Sequence, residues 1–136
     1  MKISVIVWDG NFRENLHTIR FFGEQRMAHE EYEFLWVDYY GSNDAVRSAM
    51  ERYPNFRVVT LDRDPSETWH LGHCINEGAR QSRGTLLVIP DGDIAVGPDF
   101  LEYVAADLAA AAGTCIRVPW VVDLPVGPAD GTAGVA

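Results

Sequence analysis

Lysine is nearly missing from this chain: Lys2 is the single example in 136 residues. Lysine and arginine together number 11 against 20 aspartates and glutamates, a formal net charge of −9. Phosphate backbones are held by clustered basic side chains, so this balance excludes nucleic acid as the expected partner. It equally disfavours an anionic membrane surface. Cysteine is scarce as well. The two present, Cys74 and Cys115, form no CxxC pair and no zinc-ligand spacing, and are expected to be buried free thiols rather than a disulfide. Long apolar runs are absent too. The apolar stretch from Val104 to Val122 is broken by Asp107, Gly113 and Arg117, and nothing approaches the roughly 18 residues of a membrane span. Near the start, Asp9 ends the run Ile3 to Trp8 too early for a signal peptide. The expectation is a cytoplasmic chain without a transmembrane segment.

What is present is a regular alternation of strand and helix signals. Ile3 to Trp8 is short, apolar and β-branched, and predicts a first strand. Asn11 with Glu14 forms a capping box for a helix whose buried face is Phe12, Leu16, Ile19 and Phe22 or Gly23. Phe34 to Val37 predicts a second strand ending at Asp38. Gly41-Ser42-Asn43-Asp44 is a turn that doubles as a helix cap. The helix that follows carries Val46, Ala49, Met50 and Tyr53 and stops at Pro54. Phe56 to Leu61 is a third strand. A helix with Leu71, Ile75, Gly78 or Ala79, and Ser82 on one side ends at Gly84. Thr85 to Ile89 predicts a buried fourth strand. Pro98 opens a helix to about Ala112, and Cys115 to Val122 is a fifth strand candidate. This order predicts an α/β domain of three layers, αβα, with a mostly parallel sheet spanning residues 1–122. Residues 123–136 are rich in glycine, proline and alanine and predict a tail.

In an open α/β sheet, ligands bind beyond the carboxyl ends of the strands. Three acidic positions fall there. Asp9 follows the first strand, Asp38 the second, and Asp91 with Asp93 the fourth. Aspartate is common after a strand because its side chain bonds nearby amides, and that ordinary role is open for Asp9 and Asp38. The close pair Asp91 and Asp93 points instead to a cation, since two like charges side by side are costly without compensation. A hard divalent cation held there can in turn hold a diphosphate.

Several segments together resemble the N-terminal, nucleotide-binding part of a family 2 glycosyltransferase with the GT-A fold, a Rossmann-like arrangement. They are Ser4-Val5-Ile6-Val7 and Asn11, then Val37-Asp38-Tyr39-Tyr40-Gly41-Ser42-Asn43-Asp44, then Leu71-Gly72, Asn76, Gly78-Ala79 and Ser82-Arg83-Gly84, and last Leu87-Val88-Ile89-Pro90-Asp91-Gly92-Asp93, which is similar to the DxD motif of that family. The resemblance runs from about residue 2 to 105. It implies that the backbone from Val7 to Asp9 flanks the nucleotide base and that Asp38 contacts it. It implies that Asp91 and Asp93 handle ribose, diphosphate and Mn²⁺ or Mg²⁺. The implied donor is a nucleotide-diphosphate sugar, the reaction is transfer to an acceptor hydroxyl, and the stereochemistry is inverting. The chain departs from the pattern at Trp8-Asp9-Gly10, at Tyr39-Tyr40, which replaces a second acid, and at Ile75, where a basic residue is usual. In the resembled family the acceptor half and the catalytic base lie well beyond the DxD, so the expectation is an apparently truncated copy. Asp123 is the one late acid at a candidate strand end and is the weak candidate for a base.

Two other readings stand beside this one. A GT-A-like fragment or degenerate relative holds a nucleotide and transfers nothing. A purely structural domain uses the same acids as turn formers. A haloacid dehalogenase type phosphatase is discounted, because its Asp-x-Asp sits on an early strand and needs a later lysine. His70 and His73 are three residues apart, but no third zinc ligand accompanies them.

Overall fold

The structure is a computed structural model and describes residues 2–13, 15–41 and 43–110. Within them strands and helices alternate as β1 (Ile3–Asp9), α1 (His17–Gly23), β2 (Tyr32–Asp38), α2 (Asp44–Met50), β3 (Phe56–Thr60), α3 (Leu71–Gln81), β4 (Leu86–Val88) and α4 (Phe100–Ala109). The four strands form one sheet in the order β3-β2-β1-β4, with every neighbouring pair parallel. The chain steps outward from β1 to β3, then returns through α3 to place β4 on the other side of β1. The strand order therefore reverses between β1 and β4, which is where α/β sheets open a crevice for ligands.

Both faces of the sheet are covered, as the αβα expectation requires. Ile3, Val5 and Val7 of β1 and Tyr32, Phe34 and Trp36 of β2 pack against Ile19 and Phe22 of α1, Val46 and Met50 of α2, and Leu101 of α4. Ile6, Leu35, Val37 and Val59 face the opposite way and pack with Cys74 of α3. With both faces buried, β1 and β2 carry side chains that read as near-continuous apolar runs. On the α3 side the approach is close: a Cβ at Gly78 would stand 2.4 Å from Ile6 Cγ2. Only glycine permits that helix-to-sheet distance.

The edge at the strand N-termini is tied by a buried carboxylate. Glu33 accepts hydrogen bonds from the Ser4 hydroxyl at 2.7 Å and the Arg83 N–H at 2.6 Å. Arg57 reaches its second oxygen at 3.4 Å. Three separate segments are thereby joined at one acid.

Three expectations need correction. The first helix does not open at Asn11. That residue has φ +63°, and the helix starts at His17 with no side-chain cap at Leu16. The Asp9 carboxylate accepts the Phe12 N–H at 3.4 Å and turns the chain before a helix can form. Phe12 is consequently 53% exposed rather than on a buried helical face. β4 is also less buried than expected, with Leu87 and Ile89 at 40% and 44% exposure. Among the described residues it has β1 alone as a neighbour, so one edge of it is unpaired. In α3 the buried residues are Cys74 and Gly78, while Leu71 is exposed. The fifth strand candidate, Cys115, Asp123 and the tail 123–136 lie outside the described residues.

Candidate functional site

The carboxyl ends of β1 and β2 bring two aspartates together. Asp9 and Asp38 are direct partners in the parallel register. Side chains alternate along a strand, so both lie on the face that carries Val7 and Trp36. They are buried, at 1% and 0% exposure. The Gly41 N–H donates to Asp38 Oδ1 at 3.0 Å, and Phe12 satisfies Asp9 Oδ1. The second oxygen of each acid, and Trp36 Nε1 just behind them, have no hydrogen-bond partner among the described residues. Burial pushes both carboxyls above the ordinary aspartate value. For Asp38 the Gly41 N–H opposes the rise and the Asp9 charge adds to it. Cys74, behind them in α3, is pushed up to about 11, first by burial and then by the charges of Asp38 and Asp9. A buried polar atom without a partner is uncommon, and here two fall on adjacent acids at one strand edge.

Asp91 and Asp93 stand across the strand-order reversal, just past β4. Their side chains are exposed while Gly92 between them is buried. The turn is held from behind by α1. The Thr18 hydroxyl donates to the Gly92 carbonyl at 2.6 Å and lies 3.3 Å from that of Ile94. His17 Nε2 is 2.9 Å from the Asp93 carbonyl. These contacts engage the backbone and leave both carboxylates pointing outward.

An aromatic group covers the same edge from the α3 side. Trp8 and Trp69 ring centroids are 5.2 Å apart, and Phe12 meets Trp69 edge-on at 5.4 Å. Tyr39, by contrast, is fully buried and donates its hydroxyl to the Thr68 carbonyl, so it offers no stacking face.

Sequence reading missed Arg13, His17 and Thr18. The last two act through backbone carbonyls more than 70 residues away, and no local spacing announces that. Arg13 carried one usable signal, as a lone basic residue in the loop that follows the first strand. Three other arginines sit elsewhere. Arg80 pairs with Glu77 at 2.5 Å, and Arg63 reaches Glu67 at 4.0 Å. Arg83 lines a cavity of about 380 Å³ with His29, Asn55 and Arg57 at the opposite edge of the sheet. His70 and His73 have ring centroids 5.4 Å apart. No group of three or more His, Cys, Asp or Glu suited to a metal occurs among the described residues. The donor set of Asp91 and Asp93 fits a hard cation that completes its shell with water and phosphate oxygens, the manner in which Mg²⁺ is commonly held.

The fold is shared with solved glycosyltransferase structures. S. aureus TarS 1-349 superposes with a TM-score of 0.68 at 21% identity, over 80% of this chain and 32% of that one. TarS 1-349 in complex with UDP-GlcNAc gives 0.66 at 20% identity, over 80% and 31%. The mannosyltransferase PcManGT from Pyrobaculum calidifontis, in complex with GDP-Man and Mn²⁺, gives 0.55 at 25% identity, over 74% and 30%. The chain thus spans about a third of the length of these structures. No curated protein matches it. The family model for glycosyl transferase family 21 matches residues 26–125. The glycosyltransferase resemblance read from the motifs therefore holds, and the family is specified: this chain belongs to glycosyl transferase family 21.

Proposed function

We propose that this chain is the donor-binding part of an enzyme that moves a sugar from a nucleotide-diphosphate sugar to an acceptor hydroxyl. One observation carries the reading. Two buried carboxylates with unfilled acceptor oxygens and two exposed carboxylates converge on the edge where the strand order reverses. The first pair suits the N–H donors of a base and the second suits a cation-bound diphosphate. The family match supports the activity, and the GDP-Man and Mn²⁺ held by PcManGT support the ligand class.

Asp38 Oδ2 accepts from the base, and the strand end from Val7 to Asp9 flanks it. Asp91 reaches toward ribose and diphosphate. Asp91 and Asp93 would hold Mn²⁺ or Mg²⁺, which supplies positive charge against the leaving diphosphate. α1 keeps the carboxylates at a fixed distance from the base site through Thr18 and His17, and such positioning is a large part of any rate enhancement. Inversion at the anomeric carbon follows the resemblance, and Asp123 is the candidate base.

Calorimetric titration of UDP and GDP with and without Mn²⁺, on the wild type and on Asp93→Ala, tests the proposal. Binding that strengthens with Mn²⁺ and weakens at least tenfold in the variant supports it. No heat with either nucleotide from a folded chain overturns it.

A further inference from the structure

We infer that Arg13 is the protein's own cationic contact for the donor diphosphate, an inference that rests on the function proposed above. The guanidinium lies directly on Gly92, the residue between the two exposed carboxylates. A Cβ placed there would meet Arg13 Cζ at 2.1 Å. The group is fixed in three ways. Arg13 Nε donates to the Trp8 carbonyl at 3.1 Å. Its Cζ lies over the Trp8 ring, 4.7 Å from the centroid. The Phe12 ring lies on it at 5.5 Å. The side chain is half-buried, so little conformational freedom remains to be lost on binding.

Despite that placement, Arg13 forms no ion pair with Asp9, Asp91 or Asp93 within 4.0 Å, and its terminal nitrogens have no hydrogen-bond partner among the described residues. An arginine serving only to neutralise the carboxylates would bond them, as Arg57 bonds Glu33 on the other edge. Here the guanidinium is held by its Nε and by its face against Gly92, and neither outer nitrogen is used in a hydrogen bond among the described residues. A planar guanidinium presented in this way matches the two oxygens of a phosphate. The need for it is plain in the charges. A dianionic ligand approaching Asp9, Asp38, Asp91 and Asp93 in a chain of net charge −9 meets repulsion that one divalent cation only partly offsets.

The test compares nucleosides with their diphosphates by NMR titration in Mg²⁺, using guanosine and GDP, then uridine and UDP, on the wild type, Arg13→Lys and Arg13→Gln. The diphosphate-over-nucleoside advantage is expected to fall about tenfold or more in Arg13→Gln, with nucleoside affinity unchanged. Arg13→Lys is expected to restore part of it. The inference is overturned if the advantage survives in Arg13→Gln. It is also overturned if nucleoside and diphosphate weaken equally, because that identifies a packing role on Gly92. A wild type that binds none of the four ligands overturns the proposed function itself.

Discussion

The Thr18 hydroxyl donates to the carbonyl of Gly92 across 74 residues, at 2.6 Å. This bond anchors the exposed acidic turn to the helix that follows β1, so the position of Asp91 and Asp93 depends on α1. Thr18→Val keeps the shape and removes the donor. The expected cost is about 1–3 kcal/mol, the range for a buried acceptor left without its partner. Thermal melts should show a fall of roughly 3–15 °C. Nucleotide affinity measured below the melting range should weaken as well, because the turn loses its reference point.

The buried acids make a pH prediction with a definite sign. Asp9 and Asp38 titrate above their ordinary 3.8 in the folded chain, so the folded state binds protons more tightly than the unfolded one. Their penalty is absent below 3.8 and grows as pH rises through the raised folded values, beyond which it is constant. Asp38→Asn keeps an oxygen for the Gly41 N–H and loses the charge. It should melt higher than wild type at about pH 7, with a gap that closes toward about pH 4. The same substitution should weaken nucleotide binding, the usual opposition of stability and function at a strained site. A melting series across pH and a single titration together check both halves.

Gly78 fixes how closely α3 approaches the sheet. Alanine is the better helix former by up to about 1 kcal/mol. The added Cβ, however, would stand 2.4 Å from Ile6 Cγ2 and 3.1 Å from Val37 Cγ2. Overpacking of this kind costs about 1–3 kcal/mol and exceeds the propensity gain. Denaturant unfolding should therefore show Gly78→Ala to be less stable than wild type.

Glu33 provides the complementary case, because it lies at the opposite end of the strands. Removing it leaves Arg57 without its acid and the Ser4 hydroxyl and Arg83 N–H without their acceptor. Glu33→Ala should lose about 3–5 kcal/mol. The nucleotide affinity of the folded fraction should stay at the wild-type value. A marked loss of affinity would mean that the site extends to the N-terminal edge.

The strands and their acidic ends were legible because a parallel sheet buried on both faces writes itself as apolar runs. The first two runs here stop at an aspartate and the fourth ends just before the Asp91 to Asp93 turn. Asp9, Asp38, Asp91 and Asp93 could be placed on one edge by that rule alone. The start of α1 was not legible. A capping box and an aspartate turn compete for the same residues, and the Asp9 bond to Phe12 decides between them. The exposure of Leu87 and Ile89 depends on which strand stands beside β4, and local pattern carries no record of neighbours. Arg13 was missed for the same reason, since its partner Gly92 is brought to it by the crossover through α3.

The central claim is that a nucleotide binds at the carboxyl edge of the sheet. Amide chemical-shift mapping of the labelled chain, titrated with GDP or UDP in Mg²⁺, tests it most directly. The account predicts the largest shifts at Asp9, Gly10, Tyr39 to Gly41 and Gly92, with the Trp69 indole moving alongside. Shifts gathered instead around His29, Asn55, Arg57 and Arg83, at the opposite edge, would contradict it.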